Sequence, residues 1–237
     1  MRCRRCGSAS VLGVTATSYP QRAFSLPDGS TEILLVRHGA SQAHVPGEPF
    51  ELIEGGHANP PLAPEGLLQA ERVGARLRDE PFSQRFVTPL QRTLQTAAPL
   101  AAATGTEPRV VHELREVHLG EWENGLYRVK IAEGDPIARR IIEEQRWDVI
   151  PGAEPMESFA ARIQAGIGRI AGETGPGQRA IAFLHGGVIG EIAHQAVGGG
   201  PRLALFMVEN ASVSSLLVHG SGRWQLRSFN DTLHLRG

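Results

Sequence analysis

Residues 179–184, RAIAFL, constrain what this 237-residue chain can fold into more than any other stretch. A short continuous apolar run is how a strand reads when both faces of its pleat meet other layers, as in a central parallel strand. EILLV at 32–36 has the same character, with RFVT (85–88) and RVVH (109–112) as further strand candidates. Helical spacing fills the gaps: Leu67, Ala70, Val73 and Leu77 recur on one face, as do Phe159, Ile163, Ile167 and Ile170. Thr88-Pro89 predicts an N-cap with proline in the first helical position, opening a helix to about residue 103. Another helix is predicted after RAIAFL, to about residue 197. SVSSLLV and RWQLRSF flank His219-Gly220-Ser221-Gly222, which predicts a hairpin at one edge of the sheet. Strands alternating with helices define an α/β fold: a doubly wound, mostly parallel sheet flanked by helices.

Residues 1–30, rich in Ser, Thr, Pro and Gly, are expected to form a poorly ordered leader, and 31–237 a single domain. Residues 120–155 break the alternation with charged helical stretches, two Trp and the punctuation of EGDP and IPGAEP. They predict a helical insertion over the active site. The two cysteines, Cys3 and Cys6, form a lone C-x-x-C, where a structural zinc would need four ligands. They read as free thiols.

Lys and Arg number 24 against 25 Asp and Glu, a net charge of −1, so no partnership with nucleic acid or anionic lipid is expected. No apolar run approaches the roughly 20 residues that cross a bilayer, and the N-terminus lacks a signal-peptide pattern. A cytoplasmic protein, monomer or homodimer, is the expectation.

Polar clusters follow three of the predicted strands, where such a sheet builds its site. EILLV runs into Arg37-His38-Gly39, RFVT into a helix whose first turn presents Arg92, and RAIAFL into His185-Gly186-Gly187. Two arginines can clamp a phosphate dianion through forked donors, while glycines let backbone and a helix N-terminus approach the anion. An imidazole attacks phosphorus only through an unprotonated nitrogen. The guanidinium groups beside His38 are therefore expected to hold it below its ordinary pKa of roughly 6.5. His185 faces the opposite demand, since a protonated ring serves a dianion better.

Four motifs in order, LLVRHGASQA, TPLQRTLQTA, LREVHLGEWENG and FLHGGVI, resemble the histidine phosphatase superfamily in its phosphoglycerate-mutase-like branch, over roughly residues 32–230. The resemblance implies that His38 becomes phosphohistidine, that Arg37 and Arg92 bind the phosphoryl group and that His185 contacts its oxygens. It also implies that Glu116 protonates the leaving oxygen and later activates water. Ser41, His44 and Gly186 are further substrate-binding candidates. No metal or cofactor is implied, and the ligand is a small phosphorylated metabolite.

The sequence departs from the family pattern at Ala40, where an acidic residue or Gln is common, at His44, where Asn is frequent, and at Asn59, where Asp is usual. The acidic motif lacks the E-R-x-Y-G of the mutases and is similar to that of the phosphatases. A phosphomonoester hydrolase is thus expected, with a phosphoglycerate-type mutase or a noncatalytic phospho-ligand binder as alternatives. Metal-dependent hydrolysis has no support from H-E-x-x-H. In the insertion, Tyr127, Arg128, Lys130, Arg139, Arg140 and Trp147 are candidate specificity residues.

Overall fold

The computed structural model describes residues 19–200, 202 and 207–236. Cys3, Cys6 and most of the expected leader lie outside the described residues. The strands are β1 (Thr31–Arg37), β2 (Gln84–Val87), β3 (Arg109–Val110), β4 (Arg179–Leu184), β5 (Val213–Val218) and β6 (Trp224–Asp231). They form one sheet in the order β3-β2-β4-β1-β5-β6, parallel from β3 through β1 and antiparallel at β5 and β6. The helices are α1 (Pro64–Leu77), α2 (Gln91–Thr104), α3 (Leu126–Glu133), α4 (Pro136–Glu144), α5 (Met156–Thr174) and α6 (Gly186–Ala196).

Alternation along the two central strands divides the core into two layers, because successive side chains of a strand point to opposite faces. Ile33, Leu35, Ala180, Ala182 and Leu184 join one apolar cluster with Phe159, Ile163, Ile167 and Ile170 of α5 and Val188, Ile189 and Ile192 of α6. Leu34, Val36, Ile181 and Phe183 join the other with Val73 and Leu77 of α1 and Ala97 and Leu100 of α2. Each fully buried Leu, Ile or Phe contributes roughly 1.5–3 kcal/mol of transfer free energy. The helix after β1 therefore covers one face and the helix after β4 the other. Where adjacent parallel strands send their helices to opposite faces, a crevice opens at their carboxyl ends. His38 and His185 follow those two ends directly.

Several local expectations are corrected. Helix α2 begins at Gln91, not Pro89, with Leu90 at its N-cap. Its first N–H is capped from a distant loop, Gln91 N donating to Asn59 Oδ1 at 2.8 Å. The hydroxyl of Thr88 is engaged elsewhere, with Thr93 and His185. The third strand is only Arg109–Val110, because His112–Leu114 already turn into a 3₁₀ segment. Leu67 is exposed, and the buried stripe of α1 is Gly66, Ala70, Val73, Gly74 and Leu77. The glycines of that stripe do what an apolar side chain could not. A Cβ on Gly66 would collide with the Ala40 carbonyl, and one on Gly39 with the Gly66 carbonyl, so α1 lies directly against the loop that follows His38.

The insertion holds α3, α4 and a 3₁₀ turn at Gly120–Trp122. Trp122, Ile141, Trp147 and Ile150 belong to the same apolar cluster as α5 and α6, so the segment is seated on the main core. Among the described residues, no helix is long and apolar enough to cross a membrane.

Candidate active site

At the crevice lies a cavity of about 460 Å³. Its floor is made by Arg37, His38, Arg92, Gly186 and Gly187, and its roof by insertion residues that include Trp122, Glu123, Asn124, Tyr127, Arg128 and Trp147. The register that pairs Arg37 with Leu184 sets His38 and His185 side by side, their ring centroids 5.3 Å apart.

The His38 ring is buried, and its Nδ1 lies 2.7 Å from the Gly39 carbonyl. A carbonyl only accepts, so Nδ1 carries the proton and Nε2 keeps its lone pair in the neutral ring. The His38 pKa is held well below the ordinary value of 6.5, first by burial and then by the charges of Arg92 and Arg37. The direction matches the sequence expectation, although burial precedes the guanidinium groups as its cause.

Arg92, on the first turn of α2, is buried and donates from Nη1 to the Ala58 carbonyl at 3.1 Å. Burial brings its pKa down to about 10, so it stays cationic at neutral pH. Arg37 donates from Nη1 to the Val208 carbonyl, while its buried Nε has no partner. A Cβ on Gly186 would stand 3.3 Å from that Nε, which shows how closely α6 approaches the guanidinium. Neither arginine has a carboxylate within ion-pair distance among the described residues. Buried cations without a carboxylate call for an anion from outside.

His185 is fully buried, and its Nε2 lies 2.9 Å from the Thr88 hydroxyl while Nδ1 is unpartnered. Burial, with Arg92 and His38 as further causes, holds it well below 6.5, so the ring is neutral in the empty site. The protonated ring expected from the sequence is not what the unliganded protein holds. The physical reason is that two guanidinium groups stand nearby with no dianion between them.

Glu116 lines the cavity from an irregular segment after the 3₁₀ turn at His112–Leu114. Its Oε2 accepts from Gly187 N at 3.0 Å and its Oε1 from Val117 N at 3.0 Å. The carboxylate thus rests on the N-terminal turn of α6, opposite His38 across the cavity floor. Ser41 also lines the cavity, where its hydroxyl accepts from Arg128 Nη2 at 2.8 Å. His44 is not brought there. Its ring packs 5.8 Å from that of Phe50 and against Gly125, whose positive φ and missing Cβ make room for it. Of the candidate residues in the insertion, Tyr127, Arg128 and Trp147 line the cavity, while Lys130, Arg139 and Arg140 do not. Lys130 instead pairs with Asp135 and Arg140 with Glu144.

Some contributors escaped the sequence reading. Asn210 donates from Nδ2 to the His38 carbonyl at 2.9 Å, and Thr96 accepts from Gly39 N at 3.0 Å. His57 reaches the Glu116 carbonyl through Nε2 at 3.0 Å. Glu123 accepts from Ala58 N and Leu119 N, binding the roof to the loop that holds Arg92. These bonds span tens of residues in sequence and leave no local pattern. Among the described residues, no group of three or more His, Cys, Asp or Glu side chains is arranged to hold a metal ion.

A neutral imidazole beside two uncompensated buried arginines at the switch point of a doubly wound sheet defines a phosphoryl-binding site with a built-in nucleophile. The chain belongs to the histidine phosphatase superfamily (branch 1), whose family model matches residues 33–232. An adenosylcobalamin/α-ribazole phosphatase of Salmonella typhimurium is 28% identical over 136 residues, which span 57% of this chain and 65% of that protein. A Salmonella choleraesuis protein named as a probable phosphoglycerate mutase is 27% identical over 86% of this chain and 94% of its own length. Among solved structures, a mycobacterial glucosyl-3-phosphoglycerate phosphatase aligns with a TM-score of 0.69 at 24% identity, covering 86% of this chain and all of that one. At that identity the likeness concerns the fold.

Proposed function

We propose that the protein is a metal-independent phosphomonoester hydrolase that works through a phosphohistidine on His38. The observation that carries this reading is the His38 tautomer: Nδ1–H is bound to the Gly39 carbonyl, and the burial and neighbouring charges that lower its pKa leave Nε2 nucleophilic at neutral pH. In the proposed reaction Arg37 and Arg92 neutralise the phosphoryl oxygens, with His185 beside them. His38 Nε2 attacks phosphorus in line with the leaving oxygen, and the P–O bond breaks. Glu116 delivers its proton to that oxygen, then accepts one from the water that cleaves the P–N bond. The products are an alcohol and inorganic phosphate, and both side chains return to their starting state.

The substrate in this reading is a small phosphorylated metabolite, since the cavity of about 460 Å³ suits a small ligand. The phosphatase names of two relatives support hydrolysis over transfer. The reading takes residues 31–237 as one domain, roofed by 120–155, acting in the cytoplasm as a monomer or homodimer. A charge of −1 supports the absence of nucleic-acid or membrane partners.

The test is covalent trapping. Brief incubation with ³²P-labelled substrate and an alkaline quench should leave label on the wild type and none on His38→Ala, because phosphohistidine survives base and is lost in acid. Label retained by the variant would refute the assignment. Appearance of a second phosphoester in place of inorganic phosphate would identify a mutase instead.

A further inference from the structure

We infer that Arg162 is a positioning residue for Glu116, holding the acid segment in the place where it can protonate the leaving oxygen. The inference rests on the general-acid role proposed above.

Glu116 belongs to a stretch, 115–119, that has no regular secondary structure and so no ladder to fix its backbone. A residue that must meet a leaving oxygen within hydrogen-bond distance cannot be carried by an unanchored loop. Arg162, from the second turn of α5, supplies the anchor. Its Nη1 donates to the carbonyls of Glu113 at 2.6 Å and Arg115 at 2.7 Å, and its Nη2 donates to that of Glu116 at 2.9 Å. The remaining N–H groups form a fork on Glu154, Nε to Oε1 at 2.6 Å and Nη2 to Oε2 at 2.8 Å. All five guanidinium protons are thereby used, three of them on the backbone that carries Glu116.

The strut is itself rigid. The guanidinium lies 4.8 Å over the ring of Phe159, and Phe159, Ile163, Ile167 and Ile170 fix α5 in the main core. Glu154 closes the frame from the end of the insertion, its N–H donating to the His118 carbonyl at 2.9 Å. One side chain therefore joins helix, acid segment and roof, although it does not line the cavity. Lysine could keep the charge but not the fixed fork of donors.

A strut that only held the fold together would slow every substrate alike when removed. A strut that places a general acid matters in proportion to how much the leaving oxygen needs a proton. The test is single-turnover leaving-group release from 4-nitrophenyl phosphate and from an alkyl phosphate that the wild type hydrolyses. It is run on Arg162→Lys, on Glu154→Gln, which weakens the fork without touching Arg162, and on Glu116→Gln as reference. Thermal unfolding of each variant is measured alongside.

Arg162→Lys should lose about tenfold or more on the alkyl ester and no more than about threefold on the nitrophenyl ester. Glu154→Gln should show the same selectivity at smaller amplitude, and carries the test if Arg162→Lys does not fold. Equal losses on both esters, or no loss, alongside a selective loss in Glu116→Gln would overturn the inference and leave the acid in place. Equal losses in Glu116→Gln would overturn the acid reading, and this inference with it.

Discussion

The floor and the roof of the cavity are built on opposite principles. On the floor, the groups that meet the phosphoryl oxygens sit at strand ends and helix starts, so the main chain places them. Arg37 and His38 end β1, His185 and Gly186 join β4 to α6, and Arg92 is in the first turn of α2. All are backed by fully buried strands, with Ile33, Leu35, Ala180 and Ala182 at 0% exposure. On the roof, α3 has no buried residue, and α4 buries only Ala138 and Ile141. Its surface ion pairs, Lys130–Asp135 and Arg140–Glu144, are worth less than about 1 kcal/mol each. A common chemical step needs one fixed geometry, whereas the recognition of leaving groups tolerates an adjustable wall. Changes on the floor should therefore cost every substrate, and changes on the roof should sort substrates from one another.

Glu116 stands on the border and should show the largest effect of the variants that test this contrast. Glu116→Gln keeps size and hydrogen bonding but cannot transfer a proton, so alkyl esters should slow by roughly 100-fold in single-turnover release. Nitrophenyl phosphate, whose alcohol departs without help, should slow far less. Next comes Arg92→Lys, which keeps the charge and loses the fork, for about 2 kcal/mol, or roughly 30-fold in kcat/KM. That loss should be uniform across substrates; a loss confined to one ester would move Arg92 from the floor to the recognition wall. Smallest is Arg128→Ala. It removes a roof cation held only by the Gln42 carbonyl and Ser41, and should change KM by about three- to tenfold. The change should differ between esters, and a uniform fall in kcat would erase the distinction between floor and roof.

Acid titration probes the floor without any substitution. His38 and His185 both have depressed pKa values in the folded protein, so below about 6.5 the unfolded chain binds protons that the native state refuses. The stability these residues permit is whole above about 6.5 and declines as pH falls from there toward their native values. Denaturant titrations at pH 7.5, 6.5 and 5.5 should show the decline, and His185→Asn should flatten it. The acidic limb of kcat/KM should lie below 6.5, where the neutral His38 is lost; a limb above 6.5 would contradict the depressed value.

The sequence and the structure divide along the same line. RAIAFL and EILLV are legible because a strand buried on both faces has no choice but an unbroken apolar run, and the site clusters are legible because they immediately follow such runs. Arg162 and Asn210 are not, since their partners are backbone carbonyls, which every residue possesses and no sequence pattern marks. His44 fails for a related reason. Its spacing from Arg37 fits the phosphate loop, but the packing of Phe50 and Gly125 decides where its ring goes. The helix start at Gln91 was misplaced because its cap, Asn59, comes from another loop and competes successfully with the local Thr88-Pro89 signal.

The chain by itself thus determined the alternation of strands and helices, the nucleophile and its arginines, and the presence of an insertion, because periodicity and strand-end chemistry are local properties. Only the tertiary structure decided that His185 stays neutral in the empty site, which insertion residues reach the cavity, and what holds Glu116 in place. Burial, desolvation and long-range hydrogen bonds exist only after distant segments have packed together.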